Sequence, residues 1–164
     1  MLLLYGNGCQ EIPILWSAIV QLSMWNDTAV RIIKPYCTMS KSILSVNGNR
    51  AMNYLLQTIF EKEFRLKPVS DVFEAMYFLK VNRNISALIV DIDYQPQQGW
   101  ELIEHIKSST LFDLPVIVLT TENNEKLQKK CYELEVDEIF FKPFNPVDLI
   151  ATIRNTIDVN IVSN

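Results

Sequence analysis

Over residues 42 to 158, short apolar runs alternate five times with stretches whose apolar residues recur every three or four positions, and this pattern leaves few folds open. The runs are Ile43 to Val46, closed by Asn47-Gly48; Phe64 to Val69, the weakest; Ala87 to Val90, ending on Asp91; Pro115 to Leu119, ending on Thr120-Thr121; and Ile139 to Phe141, stopped by Lys142-Pro143. Runs this short and this continuously apolar read as strands buried on both faces. Between and after them, helical stripes are marked by Met52, Leu55, Leu56, Ile59 and Phe60; by Val72, Ala75, Met76 and Leu79; by Leu102, Ile103 and Ile106, after Gly99; by Leu127, Cys131 and Leu134; and by Val147, Ile150, Ile153 and Ile157. Ser70 or Asp71 caps the second of these, with Glu74 three residues beyond Asp71. Strands alternating with helices in this way predict an α/β domain, a parallel sheet with helices on both faces.

With 164 residues, 49% of them hydrophobic, the chain has enough material for one domain and its core but not comfortably for two. Residues 1–38 differ in texture from the rest. No Lys or Arg precedes Arg31, and Trp16, Trp25, Cys9 and Cys37 fall there. The apolar stretch Ile12 to Trp25 contains Pro13, Gln21 and Ser23, is shorter than the roughly 20 residues of a membrane span and lacks the basic flank of a signal peptide. Three readings stay open for this extension: a docking helix, a membrane-surface element, or sequence outside the natural protein, since Met39-Ser-Lys makes a natural start for a domain over 39–164. A net charge of -4 and the absence of a Lys/Arg run argue against nucleic acid as a partner. Cys9, Cys37 and Cys131 have no metal-ligand or redox spacing, which suits a reducing, cytoplasmic setting.

Asp91, Thr120 and Lys142 stand at the carboxyl ends of three different strands. Parallel strands bring those ends to one edge of a sheet, where ligands and reacting groups collect. A carboxylate, a hydroxyl and an ammonium gathered there suit phosphoryl transfer, with the carboxylate as nucleophile and the other two binding the phosphoryl oxygens. His105 reads as a surface residue among charged neighbours, Trp100 as packing, and Phe140, Phe141 and Phe144 as core.

In three motifs, Leu-Ile-Val-Asp91 with Gly99 eight positions on, Val-Ile-Val-Leu-Thr120, and Phe-Phe-Lys142-Pro143-Phe144, the chain resembles the response-regulator receiver domain of two-component signalling, over about residues 41 to 158. The resemblance implies a flavodoxin-like (βα)5 three-layer sandwich with sheet order 2-1-3-4-5. It implies that Asp91 is the phosphoacceptor, Thr120 the switch hydroxyl and Lys142 the phosphate-binding lysine before a cis proline. It also implies a sensor histidine kinase or phosphotransfer protein as donor, and a protein target bound through the fourth and fifth helices and the fifth strand. With no output domain after Asn164, a stand-alone receiver acting in trans is expected. Such a domain is an acceptor, not an enzyme, beyond self-catalysed phosphoryl transfer and autodephosphorylation.

The chain departs from the family's pattern at several positions. Asn47 and Gly48 stand where receivers carry an acidic pair for Mg²⁺, so a weak magnesium site on Asp91, Asp93 and Asn47 is expected. Ile139 takes the place of the aromatic switch residue, and Thr121 is bulkier than the usual small residue beside the hydroxyl. One alternative is a pseudo-receiver that serves as an interaction module without phosphorylation. Another is a haloacid-dehalogenase-like phosphohydrolase, because Asp91-Ile92-Asp93 looks like that family's nucleophile motif; there, however, the motif sits on the first strand and an acidic pair follows the lysine. A flavodoxin-like cofactor binder is disfavoured, since Asn47-Gly48-Asn49-Arg50 lacks phosphate-cradling donors.

Overall fold

A computed structural model of the chain describes residues 41–82 and 84–162. The expectations for residues 1–38, with Cys9 and Cys37, lie outside the described residues. Five strands, β1 (Ser42–Val46), β2 (Arg65–Val69), β3 (Ile85–Asp91), β4 (Val116–Thr120) and β5 (Glu138–Phe141), alternate with α1 (Arg50–Phe60), α2 (Val72–Val81), α3 (Pro96–Ser108), α4 (Glu125–Glu133) and α5 (Pro146–Val162). All strand pairs are parallel and the order is β2-β1-β3-β4-β5. The sheet order and the α/β sandwich are therefore as expected from the motifs. β2 lies at an edge, which accommodates Pro68 opposite Ser45, because an edge strand has no second neighbour to donate to.

The alternation of side chains along each strand separates two cores. Leu44, Val46, Leu88, Val90, Val116 and Val118 face Ala75 and Leu79 of α2, Leu102, Ile103 and Ile106 of α3, and Leu127 and Cys131 of α4. Ile43, Ala87, Ile89, Ile117 and Leu119 face the other way, onto Leu56 and Phe60 of α1 and Leu149, Ile153 and Ile157 of α5. A strand residue points alternately to opposite faces, so runs apolar at every position are what two such layers demand. Burial pushes the Cys131 thiol above its ordinary value, against the opposing pull of Lys130, as befits a core residue. Trp100 packs against the first core with the Lys130 ammonium 4.5 Å from its ring centroid, and His105 is exposed.

Three local readings are corrected. Leu55 is exposed, because α1 turns a narrower stripe to the sheet, centred on Leu56 and Phe60. On α5, Leu149, Ile153 and Ile157 repeat every four residues and face inward, which rotates Val147 out to 69% exposure. The third helix starts at Pro96, not after Gly99: Pro occupies the first helical turn, where its missing N–H costs nothing, and the buried Gly99 lies against Val90 and Ile92.

The connections are tied by specific polar contacts. Asn49 caps α1, Asp71 caps α2 and Asn124 caps α4, each side-chain oxygen accepting from backbone N–H groups of the first turn. Asp137 Oδ2 accepts from Lys107 Nζ at 2.5 Å and from the Val116 N–H at 2.7 Å, joining α3, the start of β4 and the turn before β5. Lys41 pairs with Asp158, and Arg154 of α5 makes a forked pair with Glu63. Among the described residues, no helix is long and apolar enough to cross a membrane.

Candidate active site at the carboxyl edge of the sheet

The parallel order brings the ends of β1, β3, β4 and β5 to one edge, and with them Asn47, Asp91, Thr120 and Lys142. Because β3 lies between β1 and β4, Asp91 stands at the middle of this group. Its side chain is 4% exposed, and it survives there because it is paired: Lys142 Nζ donates to Asp91 Oδ1 at 2.6 Å. The Asp93 N–H donates to the same oxygen at 3.1 Å. Lys142 follows β5 directly, its backbone N–H donating to the Thr120 carbonyl at 2.7 Å, and the Lys142–Pro143 peptide is cis. Thr120 is fully buried at the end of β4 and its Oγ1 accepts from the Glu122 N–H at 3.0 Å. The three residues singled out in the sequence are thus brought together.

Asp93 belongs to the same cluster. Its carboxylate accepts from Thr120 Oγ1 at 2.9 Å, from the Thr121 N–H at 2.9 Å and from Lys142 Nζ at 3.0 Å. Burial by itself raises the Asp93 carboxyl, but the Thr121 N–H, the Lys142 and Thr120 side chains and the lysine charge outweigh it and hold the group below its ordinary value of 3.8. A carboxyl lowered on folding adds stability at every pH above its unfolded value, and that increment disappears as pH falls from there through the folded value. The wild type is therefore expected to melt above Asp93→Asn at pH 7, with the gap closing in melts taken below pH 3.8. A gap that persists there would show that the difference does not come from this carboxylate's charge.

On the other side of Asp91 a shallow cleft is lined by residues that include Asn47, Gly48, Ser70, Tyr94 and Gln95. Tyr94 was not singled out by sequence reasoning, and no pattern marks it. Its ring lies over Gly48 so closely that a Cβ on this glycine would sit 2.2 Å from Cε1. Any side chain at position 48 would have to push the ring away.

This arrangement offers a magnesium ion a poor ligand set. Mg²⁺ demands oxygen ligands in near-octahedral array. Of the expected set, Asn47 Oδ1 already accepts from the Asn49 N–H at 2.7 Å, and the buried Asn47 Nδ2, which has no partner among the described residues, is a donor. Asp93 is turned to Thr120 and Lys142, and Gly48 brings only the ring above it. Asp91 is the one carboxylate lining the cleft, and no group of three His, Cys, Asp or Glu side chains suited to a metal occurs among the described residues. The expected set of Asp91, Asp93 and Asn47 is not assembled, because the acid two residues past Asp91 is held by closer donors.

Ile139, expected in place of an aromatic switch, is half-buried against the first core, as is Phe141; Phe140 and Phe144 pack edge to face against the second, their centroids 6.1 Å apart.

A doubly wound parallel sheet with acidic residues, a hydroxyl and a lysine gathered at its carboxyl edge defines an α/β domain whose candidate site lies at the strand ends. The sequence model of the response regulator receiver domain matches residues 43–154, and this chain belongs to that family. Response regulator GtcR of Aneurinibacillus migulanus is 28% identical over 117 residues, which cover 71% of this chain and 47% of that protein. The chain thus spans about half the length of that relative. Two-component response regulator ORR5 of Oryza sativa subsp. japonica is 30% identical over 109 residues, 65% of this chain and 81% of that one. Among solved structures, a response regulator from Chloroflexus aurantiacus superposes with a TM-score of 0.66 at 20% identity, covering 72% of this chain and 98% of the other. The receiver domain of sensor histidine kinase PA1611 from Pseudomonas aeruginosa, described with a magnesium ion coordinated in its active-site cleft, superposes at 0.64 with 19% identity, covering 73% and 98%. These structural likenesses concern the fold.

Proposed function

We propose that Asp91 accepts a phosphoryl group from a phosphohistidine on a sensor histidine kinase or a phosphotransfer protein, in the cytoplasm, and that the modified domain acts by binding a protein target through α4, β5 and α5. The observation that carries this reading is the pairing of a nearly buried Asp91 with Lys142 at 2.6 Å, with the Thr120 hydroxyl at the end of the adjacent strand. Among the described residues, the hydrogen bonds to Asp91 fall on Oδ1, which leaves Oδ2 as the attacking oxygen. Oδ2 forms a bond to phosphorus as the bond from phosphorus to the imidazole nitrogen breaks. The nitrogen keeps the electron pair and takes a proton from solvent, and an acyl phosphate results. Charge on the phosphoryl oxygens falls beside the Lys142 ammonium. The domain carries the group and does not turn over a substrate; hydrolysis of the acyl phosphate restores Asp91. With Asn47 and Gly48 supplying no carboxylate, magnesium affinity in this reading is weak.

The test is incubation of the full chain with phosphoramidate, with and without Mg²⁺, followed by intact mass. A gain of one phosphoryl group in the wild type and none in Asp91→Asn is expected. No gain in a folded wild-type sample overturns the reading. It would favour a phosphorylation-independent interaction module instead, a reading supported by Tyr94 covering a Gly48 that has no carboxylate.

A further inference from the structure

The Asp93 carboxylate sits on the donors that a phosphoryl group on Asp91 would need. Thr120 Oγ1 and the Thr121 N–H each donate to it at 2.9 Å, and Lys142 Nζ reaches it at 3.0 Å while holding Asp91 Oδ1 at 2.6 Å. A carboxylate and a phosphoryl group are both compact anions that accept from hydroxyl, amide and ammonium donors. The turn after β3 sets the two acids together: the Asp93 N–H bonds back to Asp91 Oδ1, and one ammonium spans both side chains. Resting on the phosphoacceptor reading above, we propose that Asp93 is a positioning residue, an internal stand-in for the phosphoryl oxygens that holds Thr120 and Lys142 in the engaged arrangement before any phosphoryl group arrives.

Two consequences follow from occupied donors. In the unmodified protein the Thr121 amide is protected from exchange, and an incoming phosphoryl group has to displace a like-charged carboxylate, so uptake on Asp91 is slow. Both are measurable on the full chain as wild type, Asp93→Ala and Asp93→Asn, by NMR amide hydrogen exchange and by the rate of mass gain from phosphoramidate. Loss of a hydrogen bond to a charged acceptor corresponds to about tenfold or more in an equilibrium, so Thr121 exchange and Asp91 phosphorylation should each quicken by about that factor in Asp93→Ala. Asp93→Asn keeps an acceptor without the charge; it should restore much of the Thr121 protection but not the slow uptake. Equal Thr121 exchange in wild type and Asp93→Ala overturns the proposal, as does equal uptake in the two when both are phosphorylated. Faster Thr121 exchange with no phosphorylation of either form upholds the occupied donors and overturns the phosphoacceptor reading instead.

Discussion

Lys142→Ala is expected to lower the unfolding free energy by about 3 kcal/mol, at the lower end of what removing one partner of a buried ion pair costs. The lysine side chain is 15% exposed and is shared by Asp91, at 4%, and Asp93, at 26%; its removal strands two acids, one of them almost out of reach of water. Asp91→Asn alone should cost much less, because Lys142 then keeps Asp93 as its partner. The double variant Asp91→Asn, Lys142→Ala should recover part of the loss, since the more buried of the two stranded groups is then neutral. Urea unfolding of the four proteins closes this cycle, and a single Lys142→Ala variant as stable as the wild type would show that the pair contributes nothing. On the proposed reaction, the same substitution is expected to slow phosphoryl uptake by about 10²-fold, the scale of losing one group that stabilises developing negative charge.

Phe60→Ala should be the most damaging single truncation in the hydrophobic layers, at about 4 kcal/mol, and it should leave the site intact. Phe60 is fully buried at the carboxyl end of α1 and meets Phe64 edge to face, with ring centroids 5.8 Å apart. It anchors α1 in the layer that also holds Leu149, Ile153 and Ile157 of α5. The lost transfer energy adds to that of the cavity left in this layer. Because α1 is capped by Asn49 beside the site and ends at Phe60 near the opposite edge of the sheet, the change falls on stability and not on chemistry. A lowered urea midpoint with an unaltered phosphorylation rate in the folded protein is the expected pair of results; a changed rate would show that α1 positions the site.

Several features of the fold were legible because they are written in local periodicity. The two-sided burial of β3 and β4 demands apolar residues at every position, and the stripes of α2, α3 and α4 repeat where those helices meet the sheet. Once parallel strands are granted, the meeting of Asp91, Thr120 and Lys142 follows, since residues at strand ends share an edge whatever their separation along the chain. The errors fell where periodicity is ambiguous. Leu55 and Val147 lie on the flanks of stripes whose phase is set by the partner layer, and the start of α3 at Pro96 is a matter of loop geometry.

What the sequence determined by itself was the alternation of elements, the two-faced core and the identity of the three groups at the sheet edge, because each depends on which residue types occupy regular positions. What only the tertiary structure decided was which acid partners which donor. Asp93 is close enough to Asp91 in sequence to serve as a ligand beside it, yet it is bound at 2.9–3.0 Å to Thr120, Thr121 and Lys142, residues of two other strand ends. The Tyr94 ring likewise covers Gly48 only because the β3–α3 turn passes over the β1–α1 turn. Hydrogen bonds are made or lost over a few tenths of an ångström, and packing of distant segments sets separations on that scale.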